Sequence, residues 1–178
     1  MASHRYEALA CAPDAELEAV LRAGTPPEPE ALAGYEFRGW NTPAFAPLVG
    51  IQKFVKGFFH DPDAGGRLRG YNKDIRQEGG IAGMWVEKGR DGQAKPFGFY
   101  EVESDASGRY PNSVLLNYGC PRNRAIDPTK LLRDYVVQVN PENPDLLLGK
   151  AYLALPPRWP VVSWFILERL RKVPPPRL

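Results

Sequence analysis

The sequence predicts a mainly β chain: a single antiparallel, up-and-down β-barrel of about eight strands, with an N-terminal helix and a helix after the first strand. Three observations lead there. Short apolar runs, alternating or continuous, recur from Tyr35 to Leu170, each bounded by Gly, Pro, Asn or Asp. The links between them are short enough for hairpins, which favours antiparallel order. The chain has 178 residues, and that length corresponds to about one domain with a core of its own.

The elements follow in order. Pro13 to Ala23 reads as an amphipathic helix. Pro13 suits the first helical position, Asp14 and Glu16 lie in the first turn, and Leu17, Val20 and Leu21 share a face. Gly24 is placed to end it. Thr25 to Glu30 is a stiff Pro-rich connector with one helical turn towards Gly34. Tyr35, Phe37 and Gly39 alternate with Glu36, Arg38 and Trp40, a strand pattern. Thr42-Pro43 then offers an N-cap and first position, and apolar residues from Phe45 to Phe59 fall at helical spacing, so a helix is expected over Thr42–Phe59.

The remainder reads as strands and turns. Strands are expected at Arg67–Gln77, Ile81–Lys88, Phe97–Glu103, Ser113–Gly119, Asp134–Asn140, Leu146–Leu155 and Val161–Leu170. Gly79-Gly80, Arg90-Asp91-Gly92, Asp105 to Gly108 and Asn140 to Asp145 carry the turn signals. Asp127-Pro128 caps a single helical turn. The expected organisation is residues 1–34 as helix and connector, 35–170 as barrel, and 171–178 as a loose Pro-rich tail.

Composition excludes several classes. Lys and Arg number 23 against 21 Asp and Glu, a net charge of +2. That balance gives no extended nucleic-acid footprint, and no nucleic-acid partner is expected. Two Cys and two His exclude the common zinc frameworks, and no metal or other cofactor is expected. No run approaches the 18 apolar residues of a membrane span. Met1 to Glu7 lacks a signal-peptide pattern, and Cys11 and Cys120 stand far apart, so a cytoplasmic protein with reduced thiols is expected. There is no G-x-G-x-x-G, P-loop, H-E-x-x-H or G-x-S-x-G. The sequence assigns no oligomeric state.

Three stretches carry a resemblance. Leu32 to Trp40 is a Gly/Trp-rich first strand, Val55-Lys56-Gly57-Phe58 is a Lys-Gly-aromatic element, and Leu132 to Tyr135 leads through Leu148-Gly149-Lys150 to Trp164 to Arg169. In this order the parts resemble the lipocalin-like, or calycin, barrel and, distantly, an uncharacterised bacterial group with a GXWXG motif. Here Gly34 and Gly39 are one residue too far apart for that motif, and Trp40 follows the second Gly. The resemblance implies an apolar small-molecule ligand and no catalytic residues. It also implies that Trp40 packs against Arg169 to close one barrel end, a structural pairing by cation–π contact.

The leading expectation is therefore binding of an apolar molecule, lipid-, fatty-acyl- or polyketide-like, in a barrel cavity. Aromatic and polar residues on the strands supply the candidate ligand contacts: Phe99, Asn117, Tyr118, Tyr135, Lys150, Tyr152 and Trp164. Asn72, Asp74 and Arg76 lie two apart and hence on one face. Arg122 and Arg124 form a small basic loop suited to an anionic headgroup. An alternative is an enzyme, an isomerase or cyclase, whose acid or base is Asp74, Glu101 or Asp134; a strand carboxylate in an apolar cavity can hold a proton near neutral pH. A third reading is an interaction module with a filled barrel and an exposed apolar patch of Phe54, Phe58 and Phe59. His60 with Asp61 and Asp63 reads as a solvated helix end, and His4 as part of a mobile terminus.

Overall fold

The computed structural model describes residues 2–42, 51–104 and 108–176. Eight strands pair in sequence order, every neighbouring pair antiparallel, and the last closes on the first. They are β1 (Tyr35–Asn41), β2 (Lys53–Asp61), β3 (Arg67–Asp74), β4 (Phe97–Ser104), β5 (Val114–Asn117), β6 (Leu132–Asn140), β7 (Asn143–Leu153) and β8 (Val161–Lys172). Three helices precede them: α1 (His4–Ala10), α2 (Asp14–Ala23) and α3 (Pro29–Leu32). The expected mainly β, up-and-down barrel is the observed fold.

Two strand assignments differ from expectation and offset one another in the strand count. Lys53–Asp61 is a strand rather than the second half of a helix; residues 43–50, where that helix was to begin, lie outside the described residues. Phe54, Val55, Phe58 and Phe59 form an almost continuous apolar run, buried on both faces of the wall, and such a run satisfies helical and strand spacing alike. Ile81–Lys88 is not a strand. Gly79 and Gly80 take positive φ, and a Cβ on Gly83 would lie 2.5 Å from the Gly79 carbonyl oxygen. The segment therefore folds on itself and keeps one bridge, Ile75 to Glu87.

The two faces of the wall build two cores. Inward side chains, among them Phe37, Phe54, Phe58, Tyr100, Tyr118, Val136, Leu147, Phe165 and Leu167, form the interior. Outward ones, including Trp40, Tyr135, Val137, Leu146, Leu148, Tyr152, Trp164 and Ile166, pack beneath Tyr6 and Leu9 of α1 and Leu17 and Leu21 of α2. Burying each of those leucines contributes about 1.5–3 kcal/mol. α1 was not foreseen; Ser3 caps it by accepting from the Tyr6 amide at 3.2 Å, so His4 opens a helix rather than lying in a mobile terminus. Gly24 ends α2 in extended conformation. Its lack of a side chain serves close approach, since a Cβ would lie 2.5 Å from Val137.

Cross-strand partners of glycine shape the interior. Phe54 faces Gly39, Tyr100 faces Gly70 and Phe165 faces Gly149. A Cβ on Gly149 would stand 2.1 Å from the Phe165 ring. Each missing side chain lets an aromatic ring lie flat over the opposing backbone. One barrel end is plugged. Leu32 of α3 packs into the interior cluster, and Phe37, Phe58 and Tyr100 stack edge to face at 5.6 and 5.7 Å. Arg169 covers this end with its guanidinium 3.9 Å from the Tyr35 ring centroid, bonded to Asp145 and to the Ala31 carbonyl. The expected Trp40–Arg169 pair is thus corrected: Arg169 stacks on Tyr35 and Phe37, while Trp40 belongs to the outer core.

Candidate functional site

The other barrel end is hollow. A cavity of about 190 Å³ lies between the ends of β1, β2, β6, β7 and β8. Its wall is mainly apolar: Ile51, Phe54, Phe97, Leu132, Ala151, Val162 and Phe165. Phe54 and Phe165 meet edge to face at 6.0 Å. Partly exposed Asn41 and Thr129, with buried Ser163, supply polar atoms near the mouth. Phe97 reaches the cavity because β3 and β4 slip register between Gly70 and Asn72 and Gly98 takes φ +52°. A bulge of this kind re-aims the neighbouring side chain.

Four polar side chains, Lys56, Asn72, Tyr118 and Asp134, form the cavity's deep polar corner. They come from β2, β3, the residue after β5, and β6. Each projects inward because the strands alternate: Lys56 lies between Phe54 and Phe58, and Asp134 is two residues from Val136. Lys56 is 3% exposed. Its ammonium donates to Asn72 Oδ1 at 3.1 Å, to Asp134 Oδ2 at 3.1 Å and to the Tyr118 hydroxyl. Three protons meet three acceptors, so the ammonium is saturated. Tyr118 donates to Asp134 Oδ2 at 3.1 Å, and Asn72 is held by the Gly98 carbonyl at 2.9 Å. Among the described residues, Asp134 Oδ1 has no hydrogen-bond partner.

The setting governs the protonation of this corner. The rings of Tyr100, Tyr118, Phe165 and Phe54 surround Lys56 Nζ at 4.8, 5.0, 5.2 and 5.6 Å. Burial pushes the lysine pKa down, and Asp134 opposes the shift without cancelling it. Burial and the adjacent Asp134 charge push the Tyr118 hydroxyl well up, so it stays protonated at neutral pH. The corner holds one potential cation, one potential anion and a proton path between them.

The residues singled out from sequence divide sharply. Tyr118 and Asp134 line the cavity. Tyr135, Tyr152 and Trp164 lie in the outer core, and Lys150 crosses from the outer wall to Glu18 of α2 at 2.8 Å. Lys150, Tyr152 and Trp164 line an outer groove beside α2, where Tyr110 and Tyr152 share a hydrogen bond of 3.0 Å. Asn117 donates to Glu103, and Phe99 is absent from the cavity wall, where Phe97 stands instead. Asp74 is exposed, and Glu101 pairs with Arg69. Arg122 is committed to Asp61 at 2.8 Å, and Arg124 is exposed. The expected solvated helix end at His60–Asp63 is a strand end with a fully buried Asp61. Phe54, Phe58 and Phe59 are buried and form no exposed patch. Among the described residues no cluster of His, Cys, Asp and Glu is arranged to hold a metal, and no helix is long and apolar enough to cross a membrane.

Lys56 was missed because it fell in the expected helix, where a charge reads as a solvated position. Read as a strand, Phe54-Val55-Lys56-Gly57-Phe58 puts a lone charge between two aromatics on an inward face, a usable signal. Comparisons with protein-family models, curated proteins and solved structures return no match to this chain. The likeness to lipocalin-like barrels therefore rests on the strand order and closure described above.

Proposed function

We propose that the barrel binds one small, uncharged, mainly apolar molecule carrying a single polar group. The observation behind this is a mainly apolar cavity of about 190 Å³ whose two charged lining groups, Lys56 and Asp134, are gathered in one corner. An engineered apolar cavity of about 150 Å³ accommodates benzene, so this one suits roughly eight non-hydrogen atoms. A whole fatty-acyl or polyketide chain exceeds that volume, which narrows the ligand to a compact ring or short chain. The ammonium and carboxylate cancel, so the corner orients a neutral ligand. The link to the GXWXG group rests on the short motifs alone. A cytoplasmic setting is supported by the free thiols, Cys11 exposed and Cys120 buried.

One observation favours a second reading, an acid/base enzyme in the same cavity. Asp134 and Lys56 share a hydrogen bond, and Asp134 keeps an unused acceptor.

The test of binding is thermal unfolding with benzyl alcohol, beside Ala151→Leu, whose larger side chain occupies the cavity. A ligand at 100 times its Kd adds about 2.7 kcal/mol to stability. We expect a raised Tm in the natural chain and none in the variant. Equal responses from both, or none from either at millimolar probe, overturn the reading.

A further inference from the structure

We infer that Lys56 is a covalent capture site for a small apolar aldehyde or ketone, which its amine holds as an imine. The inference deepens the binding reading and rests on it, because the carbonyl compound must first enter the cavity. Among the described lysines, Lys56 is the one that lines the cavity. Its Nζ stands at the polar corner, so a ligand that turns its polar group inward brings a carbonyl carbon to the nitrogen. A carbonyl also needs no activated leaving group and no co-reactant, only a place for one proton to go and return.

Asp134 provides that place. In the resting pair, ammonium and carboxylate lie 3.1 Å apart. Transfer of one proton from Nζ to Asp134 replaces a buried ion pair by an amine and a carboxylic acid, a neutral pair that a low-dielectric site tolerates well. The amine lone pair then adds to the carbonyl carbon, forming the C–N bond as the C=O π electrons move to oxygen. Proton transfers through Asp134 carry one proton from nitrogen to that oxygen, giving a neutral carbinolamine and leaving Asp134 protonated. Asp134 then gives its proton to the hydroxyl, the C–O bond breaks and water leaves. The product is an N-protonated imine facing the Asp134 carboxylate. Atoms and charge balance: ammonium, carboxylate and carbonyl compound become iminium, carboxylate and water. The rings of Tyr100, Tyr118, Phe165 and Phe54 that surround Nζ also surround the iminium, and their faces stabilise a cation. Tyr118 donates to Asp134 Oδ2 at 3.1 Å and holds the carboxylate in place through both steps.

The experiment incubates the whole folded chain with benzaldehyde and sodium cyanoborohydride at neutral pH. Cyanoborohydride reduces an imine to a stable amine, which is read by intact mass and peptide mapping. We expect one benzyl group per chain, on Lys56. Its labelling should be at least about tenfold faster than that of exposed lysines, because the cavity holds the aldehyde beside the nitrogen. Lys56→Arg, confirmed folded by circular dichroism, should lose this fast label. Asp134→Asn, confirmed folded in the same way, should slow it. Label spread over exposed lysines with Lys56 unmodified, while benzyl alcohol still raises the Tm, overturns capture and leaves the binding reading standing. No label on Lys56 and no response to benzyl alcohol overturns both.

Discussion

Lys56→Met asks what the polar corner contributes to the fold. The substitution keeps a long apolar side chain and deletes the charge. Asp134, itself 3% exposed, then retains, among the described residues, only the Tyr118 hydroxyl as a donor. Breaking a buried ion pair from one side costs about 3–5 kcal/mol, which for a chain of this size lowers Tm by about 6–20 °C. Asp134→Leu strands the ammonium and should cost a similar amount. The double variant removes both charges, and its expected effect lies between a loss of about 1 kcal/mol and a gain of about 1–4 kcal/mol. The pair should therefore show a coupling energy of about 3 kcal/mol or more. Urea unfolding of the four proteins at neutral pH, followed by tryptophan fluorescence, measures all of this. Single effects that add up to the double, within about 0.5 kcal/mol, would refute the buried pair as described.

Gly149→Ala should destabilise by about 1–3 kcal/mol, because its Cβ meets the Phe165 ring at 2.1 Å; the displaced ring should also weaken benzyl alcohol binding, which calorimetry reads. Phe165→Ala should cost about 3–5 kcal/mol and enlarge the cavity. Naphthalene should then raise the variant's Tm and leave that of the natural chain unchanged. At Asp61, burial raises the carboxyl pKa, but hydrogen bonds from Arg122 and Arg69 outweigh it and hold the group below the usual carboxylate range. Its contribution is fully present above about pH 4 and disappears as pH falls through the lowered folded pKa. The stability gap between the natural chain and Asp61→Asn should accordingly be constant near neutrality and close in acid; a gap unchanged in acid would contradict the assignment.

The barrel was legible because its strongest signals are local. β4, β6, β7 and β8 each begin and end near their expected bounds, since turn residues flank them. Lys53–Asp61 was not legible as a strand. It is buried on both sides, by the interior and by the outer wall near Tyr71, and a two-sided strand loses the period that identifies it. The site was half legible for a related reason. Tyr118 and Asp134 stood out as polar groups on apolar strands, but so did Tyr152 and Lys150, and only the register assigns one pair to the cavity and the other to the outer wall. A one-residue slip exchanges the two faces, and the bulge that turns Phe97 inward leaves no composition signal. Arg122 misled for another reason: its partner Asp61 is distant in sequence, and spacing alone does not reveal such a pair.

The charge state of the corner sets which ligands the cavity admits. Lys56 and Asp134 carry opposite charges and share one hydrogen bond, so their sum is zero in either proton arrangement. A neutral molecule entering an apolar cavity loses little hydration and gains the apolar wall. A carboxylate of the same shape must leave water for a site whose cation is already matched, and an unmatched buried anion is far costlier than a buried hydroxyl. Benzyl alcohol and benzoate have nearly the same size and differ in charge. Titrated calorimetrically at neutral pH, the alcohol should bind at least about 30-fold more tightly, roughly 2 kcal/mol. Equal affinity, or a preference for benzoate, would mean that the ammonium is not neutralised by Asp134. The cavity would then be an anion site, and the proton relay that makes Lys56 a nucleophile would be lost with it.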